Sequence, residues 1–218
     1  MLFQDRRRAG DMLAEKMDHY RGRHPLILAV PRGGVLVAEP LWKQLGGELD
    51  LIITRKIGAP YQPELAIGAV SGDGFIMLNE QLISRLNVNR DYINKTAKKE
   101  QAEIQRRLKD YRGNRPMPKI DDRLVILVDD GVATGYTLLA ALRSLQERKP
   151  SNLVLAVPVG PPDTFNILDR EVDELVYIEA PAHFAAVGQF YREFNQVSDN
   201  EVKAVFHRSG MKGERGDG

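Results

Sequence analysis

The chain has 218 residues, 43% of them apolar, and a formal net charge of +1. That length and apolar share suit one domain with a sizeable core and room for a small appended lobe, while the balanced charge argues against a nucleic-acid or membrane-surface protein. There are no cysteines, which excludes disulfides, thiolate metal sites and cysteine nucleophiles and fits a reducing compartment.

The first residues, LFQDRRRAG, hold no apolar signal core, and no run approaches a membrane span, so a soluble, cytoplasmic protein is expected. Residues 3–20 read as helix, with Phe3, Ala9, Met12, Leu13 and Met17 as an apolar stripe. Arg6, Arg7 and Arg8 read as a solvated basic face. LILAV at 26–30 reads as a buried strand ending in Pro31-Arg32-Gly33-Gly34, and a helix follows from about Val35 to Leu45, stopped by Gly46-Gly47. Two glycines let the backbone approach a ligand closely and turn amides toward an anion. Arg32 adds a fork of donors suited to phosphate. Taken alone, PRGG fits a plain strand-to-helix turn at least as well.

Residues 49–54 read as a third strand, with Arg55 and Lys56 at its end. A basic pair there would face the same crevice as the other strand ends; a solvated terminus is the competing reading. Tyr61-Gln62-Pro63-Glu64 reads as an exposed loop. Residues 66–70 and 75–78 flank Ser71-Gly72-Asp73-Gly74 as a β-hairpin, a suitable base for a lid. Residues 79–112 read as helical with a break at 87–89, and Ile93, Ala97, Ile104, Leu108 and Tyr111 recur at helical spacing. Lysines and arginines are prominent here, but no aromatic interleaving supports nucleic-acid binding; a charged helix packed by one face is the better reading. Arg115-Pro116-Met117-Pro118 closes this insertion.

The stretch 124–137, LVILVDDGVATGYT, is the most informative. Five apolar residues without alternation suggest a strand covered on both faces, as in a parallel sheet. Asp129 and Asp130 follow, then a glycine-bearing turn that opens a helix at about Thr137. Amides at a helix start attract phosphate, and ionised carboxylates accept from hydroxyls, so the segment suits a ligand carrying a sugar beside a phosphate. Neither a Walker A loop nor GxGxxG is present.

Residues 153–157 form a further apolar run, and ELVYIE at 174–179 reads as the last strand. The segment from about 180 to 207 reads as a hood holding the aromatic cluster Phe184, Phe190, Tyr191 and Phe194. Phe190 and Phe194 are expected to fill a core. His183 has no partner at metal-ligand spacing. Residues 208–218, RSGMKGERGDG, read as a disordered tail. The alternation of strands and helices gives an α/β fold: a largely parallel sheet flanked by helices, with a β-hairpin lid and a helical insertion at about 79–115, in a single domain over 1–207.

VILVDDGVATGYT resembles the phosphoribosyl pyrophosphate (PRPP) motif of the type I phosphoribosyltransferases, where apolar residues precede two acidic residues and a Gly/Thr loop. Ala133 stands where many members have Ser or Thr, which removes one phosphate hydroxyl worth about 1 kcal/mol. Beside that motif, PRGG resembles the family's pyrophosphate loop, where a cis peptide is often found, and RKIG the start of its mobile loop. The resemblance runs from about residue 26 to 179. It implies transfer of 5-phosphoribose from PRPP to a nitrogenous base in nucleotide salvage, releasing pyrophosphate, with Mg²⁺ bound mainly through PRPP. By resemblance, Asp129 and Asp130 hold the ribose hydroxyls. Gly131, Val132, Ala133, Thr134, Gly135 and Thr137 hold the 5-phosphate, and Arg32, Gly33 and Gly34 the pyrophosphate. Arg32 with one of Arg55 or Lys56 favours pyrophosphate departure, and Asp130 is a candidate base by proximity. By resemblance Phe184 stacks on a planar heterocycle, with filling of the C-terminal core as an equally good reading. No metal ligand is assigned to the protein. The expected partners are PRPP and a nucleobase-like acceptor, and a second copy of the chain, since related proteins are often dimers. The competing class is a non-catalytic PRPP-sensing regulator of the same fold; a phosphosugar phosphatase lacks its DxDxT motif.

Overall fold

In the computed structural model, the described residues are 2–113 and 115–209. The fold is α/β. Five parallel strands form the central sheet: β1 (Leu26–Ala29), β2 (Glu48–Leu51), β6 (Leu124–Val128), β7 (Asn152–Val159) and β8 (Glu174–Glu179). Across the sheet they lie in the order β2-β1-β6-β7-β8.

Successive strand side chains point to opposite faces, and here both faces are apolar. Ile27, Ala29, Ile126, Val128, Val154 and Ala156 face a core closed by α1 (Arg6–Lys16), α2 (Gly33–Leu45) and α7 (Asp199–Arg208). Leu26, Leu28, Val125, Leu127, Leu153 and Leu155 face the other core, closed by α5 (Tyr136–Gln146) and α6 (Pro162–Leu168). The unbroken apolar runs in the sequence are the direct record of this double burial.

A second, antiparallel sheet is built from β3 (Thr54–Ala59), β4 (Gln62–Ser71) and β5 (Ile76–Leu78), in that order. It corrects two expectations. The strand expected over 49–54 is two strands, because β2 ends at Leu51 and β3 begins at Thr54. The stretch expected as a loop from Arg55 to Glu64 is mostly a hairpin, with Ala59 paired to Gln62 across Pro60-Tyr61. Ile57 and Ala59 alternate inward, burying against Ile67 and Val70, while Lys56 points to solvent. That period of two outweighs the polar residues interspersed in it. The expected hairpin around 71–74 is present as β4–β5, with Ala69 opposite Met77. Ser144 of α5 donates to Asp73 in its turn at 2.9 Å, pinning the small sheet to the large one.

The insertion comprises α3 (Glu80–Arg85) and α4 (Arg90–Arg112). Ile93, Ala97 and Ile104 bury against the small sheet. Much of the charge on α4 is internally matched: Glu103 accepts from Arg106 and Arg107, and Arg106 also reaches Asp110. Arg112 is buried against Asp50 at 2.9 Å.

Both chain ends differ from expectation. Phe3 lies outside α1, which starts at Arg6 after Asp5 caps it by accepting from the Arg8 amide. Instead, the Phe3 amide donates to Phe190 O at 2.8 Å and the Arg192 amide to Phe3 O at 2.9 Å. At the other end α7 runs through Arg208, whose Nε donates to Glu39 at 3.0 Å, so the helix takes in the first residue of the expected tail. Residues 210–218 lie outside the described residues. Among the described residues no helix is long and apolar enough to cross a membrane.

Candidate functional site

Parallel pairing of β1 and β6 sets Ala29 opposite Val128, so the loops that follow leave the sheet side by side. The Val30 amide donates to Val128 O at 2.9 Å, holding them together at the carboxyl edge. The peptide between Pro31 and Arg32 is cis, as the resemblance led one to expect of a pyrophosphate loop. Helix α2 then begins at Gly33, two residues earlier than its apolar pattern suggests.

The two glycines of this loop lie against the acid pair. A Cβ on Gly33 would stand 1.9 Å from Asp130 Oδ2, and one on Gly34 would stand 2.9 Å from Asp129 Cα. Side-chain-free backbone is what allows the PRGG loop and the acidic turn to touch.

Asp129 and Asp130 sit in the turn after β6. The Asp130 amide donates to Asp129 Oδ1 at 2.8 Å. Burial, and then the charge of Asp130, hold the Asp129 carboxyl well above the usual carboxylate range. Burial also raises Asp130, with Arg6 pulling the other way. The loop then runs outward. Val132 is buried, its amide bonded to Val159 O at 2.9 Å, so it anchors the loop rather than facing a ligand. Ala133 O accepts from Thr164 at 2.7 Å. Ala133, Thr134 and Thr137 are exposed, and α5 starts at Tyr136 with Gly135 in a left-handed conformation and no side-chain cap. An uncapped helix start beside exposed hydroxyls is an anion-binding arrangement.

Arg6 is the residue that sequence reasoning missed. Its side chain is 9% exposed, and Nε donates to Asp130 Oδ2 at 2.6 Å. Nη1 donates to Asn195 O at 2.9 Å, and the guanidinium carbon lies 3.8 Å from the Phe194 ring centroid. Tyr191 belongs to the same group: its hydroxyl donates to Asp130 O at 2.6 Å. The solvated-face expectation for the basic cluster fails at Arg6 and holds for Arg7 and Arg8, which are exposed even though Arg7 also reaches buried Glu39 at 3.0 Å. A signal existed in the sequence: Arg6 falls on the buried side of α1 with Ala9, Gly10, Leu13 and Ala14. Phe194 does not fill a core as expected; it is 37% exposed and covers Arg6. Phe190 is buried.

The remaining candidates are placed as follows. Arg32 Nη1 lies 3.8 Å from Asp199 Oδ1 at the start of α7. Arg55 donates to Glu100 of α4, and Lys56 pairs with Glu64 at 2.7 Å. Both line a cleft of about 590 Å³ between the β3–β4 hairpin and α4, which shares no lining residue with the two loops. Phe184 is half-buried and stacks on Phe190 with centroids 5.3 Å apart. Its segment abuts the acidic turn, because Val187 is the neighbour a Cβ on Gly131 would meet, at 2.5 Å. No cluster of three or more metal-ligating side chains occurs among the described residues.

A family model described as "Phosphoribosyl transferase domain" matches residues 64–193. The chain belongs to this phosphoribosyl transferase family. A Mycobacterium tuberculosis protein named "Putative phosphoribosyl transferase Rv0571c" is 39% identical over 208 residues, 95% of this chain and 47% of that protein. The chain thus spans about half the length of the curated relatives it matches. The crystal structure of TT1426 from Thermus thermophilus superposes with a TM-score of 0.83 at 39% identity, covering 95% of this chain and 99% of that one. The purine phosphoribosyltransferase from Pyrococcus horikoshii is more distant, at 19% identity, 78% and 80% coverage and a TM-score of 0.45. The family-model match begins after the PRGG loop and after Arg6, whereas the 39% identical relatives extend across 95% of the chain.

Proposed function

We propose that this phosphoribosyl transferase moves 5-phosphoribose from PRPP to a nitrogenous base in nucleotide salvage, with release of pyrophosphate. The observation that carries the reading is the contact of the acidic turn with the PRGG loop: diol acceptors and a pyrophosphate cradle adjoin, with an uncapped helix start beyond them. Asp129 and Asp130 accept from the ribose hydroxyls. The amides of Gly131 and of Ala133 to Thr137, with the Thr134 and Thr137 hydroxyls, hold the 5-phosphate, while Val132, its amide taken by Val159 O, anchors the loop. Arg32 and the Gly33 amide hold the pyrophosphate, and Gly34, whose amide donates to Val30 O at 3.1 Å, contributes the close approach of side-chain-free backbone.

In the reaction the bond from the anomeric carbon to pyrophosphate oxygen breaks, a carbon–nitrogen bond forms, and the base nitrogen releases its proton. Positive charge develops on the sugar and negative charge on the leaving group, so catalysis is mainly positioning and charge stabilisation. Mg²⁺ fits this site as a substrate-borne ion, since the acid pair alone offers too few ligands for a protein cage and PRPP brings its own oxygens. When bound it would neutralise phosphate charge. For Arg55 or Lys56 to meet the leaving group, each must give up its pairing with Glu100 or Glu64. That engagement favours, as a second reading, a protein that binds PRPP without turning it over.

The deciding experiment is a pyrophosphate-release screen with PRPP, Mg²⁺ and a panel of nucleobases, run beside an Asp129→Ala/Asp130→Ala variant. Base-dependent release that the variant lacks supports the transferase and names its acceptor. Tight PRPP binding without release supports the sensor.

A further inference from the structure

We infer that Arg6 is a positioning residue for the ribose site: reaching in from α1, it fixes the Asp130 carboxylate so that the acid pair can accept from a sugar diol. This inference rests on the reading of Asp129 and Asp130 as the ribose-binding pair.

The geometry is that of a clamp. Arg6 Nε meets Asp130 Oδ2, and the neighbouring Tyr191 hydroxyl donates to the same residue's carbonyl oxygen. Phe194 covers the guanidinium face and Asn195 O takes a second donor, so the arginine has little freedom to swing away. Stability alone does not account for this arrangement. A buried ion pair gains little over a well-packed apolar pair, because both charges lose their water. Binding gives it a purpose. Two adjacent carboxylates in one sheltered turn tend to share a proton, and a protonated carboxyl is a poorer acceptor. A fixed cation on Asp130 favours its anionic form, and the displacement of the pair follows that order: Asp129 stands well above the usual range, and Asp130, opposed by Arg6, is raised less sharply. The groups facing Asp130 are Arg6 from α1, Asp129 from its own turn, and Tyr191 from the segment after β8; from α2 it meets the Gly33 backbone, which does not titrate.

The test compares wild type with Arg6→Met, Arg6→Lys and Phe194→Leu. PRPP affinity in the presence of Mg²⁺ is measured by calorimetry from about pH 6 to about pH 9, a range that covers an upward-displaced carboxylate. Each variant is expressed as a ratio to wild type at the same pH, which removes the titration of PRPP itself, and thermal melting checks the fold. Arg6→Met should bind at least about tenfold more weakly near neutrality, with the deficit shrinking as pH rises and Asp130 ionises unaided. Arg6→Lys should recover most of the affinity. Phe194→Leu, at a half-exposed position, should keep the fold and lose part of the affinity. A deficit equal at every pH and equal in the Lys and Met variants would overturn the inference and leave Arg6 a structural residue. If Arg6→Met does not fold, the Lys and Phe194→Leu profiles decide in the same way. If wild type binds no PRPP, the ribose reading fails by itself. Carboxyl-carbon NMR then still decides the role of Arg6, because Asp130 should titrate at higher pH in Arg6→Met, and an unmoved titration overturns the claim.

Discussion

Gly33 and Asp130 are in contact so close that no side chain fits between them: a Cβ on Gly33 would lie 1.9 Å from Asp130 Oδ2 and 3.0 Å from Arg6 Nε. Gly33→Ala should therefore displace the carboxylate from its arginine. The backbone at Gly33 is helical, so the effect is steric rather than conformational. We expect a stability loss of about 1–3 kcal/mol, typical of overpacking, and a larger proportional loss of PRPP affinity. Thermal melting beside calorimetry separates the two.

Asp130→Asn keeps the shape of the side chain and removes its charge. A hydrogen bond to a charged group contributes about 1.5–3 kcal/mol, and PRPP binding should weaken by about that amount while the fold survives. Unchanged affinity would remove Asp130 from the ribose site.

Arg32 is half-exposed and only loosely paired with Asp199 at 3.8 Å. Exposed ion pairs of this kind contribute about 0–1 kcal/mol, so Arg32→Ala should leave stability nearly untouched. If the residue serves the leaving group, turnover should fall much more than the affinity for ribose 5-phosphate, which carries no pyrophosphate. Equal losses would count against that role.

Arg112 and Asp50 form a buried pair, with side chains 7% and 3% exposed. Burial pushes the Asp50 carboxyl up, and Arg112 opposes it. Arg112→Ala would leave an uncompensated acid and should cost about 3–5 kcal/mol in a urea titration. Asp50→Asn in the same background should restore part of that loss.

Glu39 gives the fold an acid-sensitive latch between α1, α2 and α7. Burial alone would raise its carboxyl, but Lys43, Arg208 and Arg7 together bring it below the usual range. A depressed carboxylate contributes stability above its unfolded pKa, and that stability is lost as pH falls through the folded value. The melting temperature should therefore drop on acidification below the ordinary carboxylate range. Glu39→Gln should melt lower at neutral pH and show a flatter acid limb.

The central sheet was legible because burial on both faces leaves an unbroken apolar run, as in LILA and LVILV. The β3 strand was not, because Arg55 and Lys56 interrupt an alternation that only Ile57 and Ala59 reveal. The PRGG loop and the acidic turn were legible as strand-end loops because glycines and acids at strand ends are a local pattern. Arg6 was not, because its partner Asp130 is 124 positions away and nothing local separates it from Arg7 and Arg8 except its phase on the helix. The engagement of Arg55 with Glu100 and of Lys56 with Glu64 was equally hidden, since it depends on how the hairpin and α4 come to rest together.

The meeting of residues 3–6 with residues 190–195 sets an order of events during synthesis. Arg6 leaves the ribosome long before Asp130 exists, and Phe194 and Asn195 emerge later still. The acid pair can be built into its sheet while the nascent chain still lacks the groups that cover it. Contacts so distant in sequence are slow to form, because the loop they close is long. Completion of the acidic turn's surroundings should thus be a late step, reached once residues 190–195 have closed over Arg6 and α7 has covered its face of the sheet.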